Sequence, residues 1–154
     1  METDTIRLLL ADDDEDDCLF FKEALAELSA SAHLTTVYDG EQLMQLLAKT
    51  TSALPDVLFL DLNMPRKNGF ECLRELKTDG RLKQLPVVIL STSFERDVAD
   101  RLHRAGASCC MRKPSGHSEL KQLIQQALTL VTRESGLQPT TENFVAKTGS
   151  TVIF

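Results

Sequence analysis

The chain has 154 residues, 42% of them hydrophobic, four cysteines and a formal net charge of −6. That length and composition suit one domain with a full apolar core and no need of disulfide or metal staples. The acidic balance argues against a nucleic-acid or anionic-membrane surface, because both need clustered Lys and Arg.

An apolar run at Ile6–Ala11 opens the chain as a strand, and after an acidic stretch Cys18, Phe21, Leu25 and Leu28 recur at helical spacing. A weaker strand at 34–38 precedes a helix carrying Leu43, Leu46 and Leu47. The third strand, 57–60, is followed by a helix with Phe70, Leu73 and Leu76. The fourth, 87–90, is followed by Val98, Leu102 and Ala105. A mixed run at 107–111 makes the fifth strand, and Leu120, Leu123, Ile124, Ala127 and Val131 mark the last helix. Gly40, Gly69, Gly80 and Gly106 fall at segment ends, where glycine supplies turn and cap conformations.

Five strand-helix units in alternation predict a parallel sheet covered by helices on both faces, since parallel strands need long right-handed crossovers. Val57-Leu58-Phe59-Leu60 has no polar alternation, as a strand buried on both faces requires. The units end near Thr132, so residues 1–132 form the domain and 133–154 a C-terminal extension too short for a separate output domain. Its apolar end, Val152, Ile153 and Phe154, is expected to pack on the domain or on a second copy as a homodimer.

Cys18, Cys72, Cys109 and Cys110 lack C-x-x-C spacing, which points away from zinc or a disulfide framework and toward a reducing, cytoplasmic setting. No segment approaches the roughly 20 apolar residues of a membrane span. His33, His103 and His117 share no ligand spacing.

In an open parallel sheet the ligand site lies beyond the carboxyl ends of the strands. The residues there are Asp12 and Asp13 after the first apolar run, Asp61 after the third, Ser91 after the fourth, and Lys113 and Pro114 after the fifth. Each alone reads as a helix cap, a turn residue or a solvated charge; together they form one site. Carboxylates about 4 Å apart repel by roughly 4 kcal/mol at an effective dielectric near 20, so three of them ask for protons or a counter-ion. Oxygen ligands favour Mg²⁺ or Mn²⁺, while Lys and a hydroxyl suit phosphoryl oxygens. Such a cluster suits phosphoryl transfer to a carboxylate.

The strings LLLADDDEDD, PDVLFLDLNMPRKNGFE, LPVVILSTS and AGASCCMRKP resemble the receiver domain of two-component response regulators across residues 5–132. The resemblance implies a flavodoxin-like, doubly wound five-stranded sheet of order 2-1-3-4-5 with five helices. It makes Asp61 the phosphoacceptor, Asp13 a direct metal ligand, Asp12 a support through water, and Asn63 a ligand through its backbone carbonyl. Ser91 becomes the switch hydroxyl, Lys113 the phosphoryl-binding cation, and the Lys113–Pro114 bond is expected to be cis. It further implies a sensor histidine kinase or phosphotransfer protein as donor, an unnamed downstream protein as target, and a signalling domain rather than an enzyme.

Two features depart from the pattern. Cys110 stands where the fifth strand usually carries an aromatic switch residue, and the extension matches no part of a receiver. A phosphohydrolase of the haloacid dehalogenase type would need an Asp at position 63, where this chain has Asn63. A degenerate, non-phosphorylated receiver would lack Asp13, Asp61 or Lys113, and all three are present.

Overall fold

The computed structural model describes residues 6–28, 32–50, 53–92 and 95–133. The expectation for Val152, Ile153 and Phe154, and most of the extension, lies outside the described residues. Strands β1 (Ile6–Ala11), β2 (Ala32–Val37), β3 (Val57–Asp61), β4 (Val87–Ser91) and β5 (Cys109–Arg112) alternate with helices α1 (Glu15–Leu28), α2 (Gly40–Lys49), α3 (Gly69–Thr78), α4 (Arg96–Arg104) and α5 (His117–Arg133). All the pairings are parallel, in the order β2-β1-β3-β4-β5.

Alternate residues along each strand feed two cores. One face sends Leu9, Leu58, Leu60, Ile89 and Cys110 against α2, α3 and α4. The other sends Leu8, Leu10, Phe59, Leu90 and Met111 against α1 and α5, where Phe21 meets Phe59 edge-on with ring centroids 5.0 Å apart. The three inner strands therefore read as unbroken apolar runs, while edge strand β2 alternates between half-buried and exposed positions. That alternation explains why β2 starts two residues before the apolar run that predicted it. Its ladder with β1 pairs Ile6 with Ala32 and continues through exposed His33.

At the other end of the sheet, Ala107 belongs to the capping segment that follows α4 instead of opening β5. Its N–H bonds Leu102 O at 3.1 Å, the Gly106 N–H bonds His103 O at 3.0 Å, and Gly106 has φ +114°. Together these make a Schellman cap, which needs glycine. Gly40 and Gly69 instead open helices, and Gly106 is the one glycine with positive φ among the described residues.

The acidic stretch divides its labour. Asp14 Oδ1 accepts the N–H groups of Asp16 at 2.9 Å and Asp17 at 3.1 Å, capping α1, and Glu15, Asp16 and Asp17 occupy its first turn. Asp12 and Asp13 are left for the end of β1. β1 pairs with β2 on one side and β3 on the other, so the reversal of strand order falls at the β1 and β3 carboxyl ends.

Candidate functional site

Asp12, Asp13 and Asp61 meet at that reversal, each offering a carboxylate oxygen within 4.8 Å of the others. Asp12 and Asp61 are buried and Asp13 is exposed at the mouth. The strand ladders extend past the apolar runs and hold the residues in place. Asp12 N–H bonds Val37 O at 3.1 Å, Leu62 N–H bonds Leu90 O at 2.9 Å, and Lys113 N–H bonds Ser91 O at 2.7 Å.

Lys113 reaches into the carboxylates from the end of β5. Its Nζ stands 2.9 Å from Asp12 Oδ2, 2.9 Å from Asp17 Oδ2 and 3.6 Å from Asp61 Oδ1. Burial pulls the ammonium's pKa down, but its hydrogen bonds to Asp17 and Asp12 and the charge of Asp61 outweigh that and leave it raised. Asp61 is pushed up to about 7, by burial first, then by Asp12 and Asp13; Lys113 and the Asn63 N–H, 3.4 Å from Oδ1, oppose the shift. Asp12 is also raised by burial, against the Asp14 N–H at 3.0 Å and Lys113.

One ammonium thus faces three carboxylates, and the pKa values of two of them, Asp12 and Asp61, stay raised despite it. An all-oxygen cluster of this spacing fits a hard divalent cation, for which Asp12, Asp13 and Asp61 could serve as ligands. Asn63 follows directly in the loop after β3, with an exposed side chain. Ser91 is buried at the end of β4, two strands from Asp12 and beside Asp61 in the β3-β4 ladder, where Asp61 pairs with Leu90. Cys110 is fully buried in the core that includes Ala99 and Leu102 of α4, and burial raises its thiol's pKa.

One expectation is overturned. No cis peptide occurs among the described residues, so Lys113–Pro114 is trans. Trans is intrinsically preferred by about 0.5–1 kcal/mol even before proline. In that form Lys113 keeps its N–H bond to Ser91 and its ammonium reaches Asp12 and Asp61, so the site's contacts impose no counterweight.

Asp17 was missed as a site residue. It lies in the first turn of α1, in the same acidic run as Asp12, and nothing in residue type separates it from the capping Asp14. A position facing the last strand's end, where the Lys must arrive, is the one signal that could have found it. The four cysteines are free and buried. No described helix is long and apolar enough to cross a membrane.

A doubly wound five-stranded sheet of this order, with an acidic cleft and an opposing lysine at its carboxyl edge, is the architecture of a receiver domain. The response regulator receiver domain model matches residues 8–125, and the chain belongs to that family, a family of signalling domains. Response regulator Rcp1 of Synechocystis sp. is 30% identical over 122 residues, covering 77% of this chain and 83% of Rcp1. Among solved structures, the phosphorylated cyanobacterial phytochrome response regulator RcpA is similar with a TM-score of 0.77 and 31% identity, over 88% of this chain and 99% of that one. The Mn²⁺-bound form of Rcp1 is similar with a TM-score of 0.72 and 28% identity, with the same coverage of both chains.

Proposed function

We propose that this chain is a receiver that takes a phosphoryl group on Asp61 from a sensor histidine kinase or phosphotransfer protein, with Mg²⁺ or Mn²⁺, and signals through phosphorylation-dependent protein contacts in the cytoplasm. Residues 1–132 act as the receiver and 133–154 as an extension to it. The observation that carries the reading is the meeting of Asp12, Asp13, Asp61 and Lys113 at the sheet's reversal point, three carboxylates within 4.8 Å and one ammonium among them. A bound divalent cation would supply positive charge to the carboxylates and to the incoming phosphoryl oxygens, held by Asp12, Asp13, Asp61 and the Asn63 carbonyl.

Asp61 Oδ attacks the phosphorus of a phosphohistidine; the new O–P bond forms as the P–N bond breaks, and the imidazole leaves with the electron pair and takes up a proton. Burial makes the Asp61 carboxylate more basic than an exposed one and hence a stronger nucleophile once ionised. Lys113 places its ammonium on an equatorial phosphoryl oxygen. The aspartyl phosphate carries about −1.5 to −2 charge, which draws the Ser91 hydroxyl and the chain after it inward. Cys110, too small to swing as a ring does, stays packed beside α4 while the Ser91 loop carries the signal.

Similar structures include response regulators of phytochromes and of red-light signalling, which makes a phytochrome-type kinase the first donor to test. The direct test is phosphorylation by acetyl phosphate followed by intact-protein mass spectrometry. Incorporation in Mg²⁺, abolished by EDTA, supports the reading; equal incorporation in EDTA contradicts the cation's place in it.

A further inference from the structure

The loop that follows the phosphoacceptor is clamped from outside by the first residues of α2. Gly40 opens that helix, and a Cβ on it would stand 2.1 Å from Lys67 O, 2.6 Å from Lys67 Cβ and 2.8 Å from Cys72 Sγ. The nearest of these atoms is backbone and cannot swing away. Asp39, the α2 N-cap, uses Oδ1 to accept the Gln42 N–H at 2.8 Å and sets Oδ2 3.6 Å from Arg66 Nε.

Between those two contacts the chain is held in an uncommon form. Arg66 has φ +69° and sits at the centre of a three-residue turn closed by Lys67 N–H to Pro65 O at 2.7 Å. A γ-turn with positive φ at a non-glycine residue persists only where its surroundings over-determine it. Cys72 completes the clamp, its buried Sγ 3.8 Å from Gly40 O and 4.0 Å from Lys67 O.

The loop has little room to absorb a push. Its ends are tied by Gly69 N–H to Leu62 O at 2.9 Å, and Gly69 lies so close that a Cβ there would be 2.6 Å from Asp61 O. Met64 is buried in the core beneath it. A shift at residues 66–67 must therefore be taken up by residues 63–68, which include the candidate ligand Asn63.

We propose that Gly40, assisted by Asp39, is a positioning residue for the acceptor loop: the contact of α2 with Arg66 and Lys67 sets the place of Asn63 and through it the site's affinity for a divalent cation. This rests on the cation reading of the previous section, which wild-type Mn²⁺ binding checks first and separately: if wild type binds no Mn²⁺, that reading fails on its own account. A methyl at Gly40 must push the Lys67 carbonyl by about 1 Å to reach an allowed contact.

The test is Mn²⁺ titration followed by electron paramagnetic resonance on wild type, Gly40→Ala, Asp39→Asn and the double variant Gly40→Ala with Arg66→Gly. Gly40→Ala should keep its circular dichroism spectrum and bind Mn²⁺ at least about tenfold more weakly, the scale of losing a group that orients a metal ligand. At saturating Mn²⁺ its phosphorylation rate should stay near wild type, separating positioning from chemistry. Arg66→Gly should restore much of the affinity, because glycine lets the turn shift without strain. Asp39→Asn keeps the cap and drops only the ion pair, so a loss of about threefold is expected. Wild-type affinity in folded Gly40→Ala would overturn the proposal. If Gly40→Ala does not fold, an unchanged affinity and unchanged Asn63 amide chemical shift in Asp39→Asn would overturn it instead.

Discussion

Replacing Asp61 with Asn should make the metal-free fold more stable above pH 7, and the gain should vanish as the pH approaches 4. Asp61 has a folded pKa of about 7 against 3.8 for an ordinary Asp, set by burial first and by the neighbouring Asp12. Between those values the folded chain holds a proton that the unfolded chain releases, so wild-type stability falls as the pH rises through this window. A shift of roughly three units at 1.36 kcal/mol each corresponds to about 4 kcal/mol lost above pH 7 and nothing lost below pH 4. An amide keeps the shape of the protonated carboxyl and carries no such penalty. Urea denaturation of both proteins in EDTA, at pH 8 and pH 4.5, reads the difference. Saturating Mg²⁺ should narrow it, because a cation held by wild type stabilises the fold by about 2.7 kcal/mol at a hundred times its dissociation constant. Equal stability of the two proteins at pH 8, or a gap independent of pH, would refute the account of a buried, under-compensated Asp61.

Lys113→Gln should lower the phosphorylation rate by about tenfold or more, the scale of one hydrogen bond to a charged group, and tighten Mn²⁺ binding by removing a competing cation; stopped-flow labelling and Mn²⁺ titration measure the two. Ser91→Ala should keep phosphorylation and lose most of the phosphorylation-dependent change in partner affinity, measured by pull-down with and without acetyl phosphate; full coupling in that variant would remove Ser91 from the switch. Phe59→Ala, which empties a fully buried ring position against Phe21, should destabilise the fold by about 3–5 kcal/mol in urea denaturation.

Much of this site is legible in the sequence because parallel α/β topology ties it to a rule of position. Where Val57 to Leu60 run without a polar residue, the strand must be buried on both faces, and the next residue, Asp61, must emerge at the carboxyl edge. The same reasoning placed Asp12, Asp13, Ser91 and Lys113. It works less well away from doubly buried strands. β2 lies at the sheet edge, where His33 and Thr35 are exposed, so its start left a faint apolar signal. Ala107 is apolar and buried like a strand residue but belongs to the α4 cap, because a Schellman bond and a strand start make the same demand on side-chain polarity. Asp17 could not be told from its acidic neighbours, since its contact with Lys113 joins residues 96 positions apart. The close approach of Gly40 to Lys67 is likewise a tertiary matter. A glycine before a helix announces a turn and is silent about what presses on it.

Acceptance of the phosphoryl group by Asp61 has a direct readout, because borohydride reduces an acyl phosphate to an alcohol. Wild-type protein treated with acetyl phosphate and Mg²⁺, reduced with borohydride and digested, should yield one modified peptide, with Asp61 converted to homoserine and Asp12 and Asp13 intact. Conversion at Asp12 or Asp13, or none anywhere in wild type under conditions that label a known receiver, would contradict it.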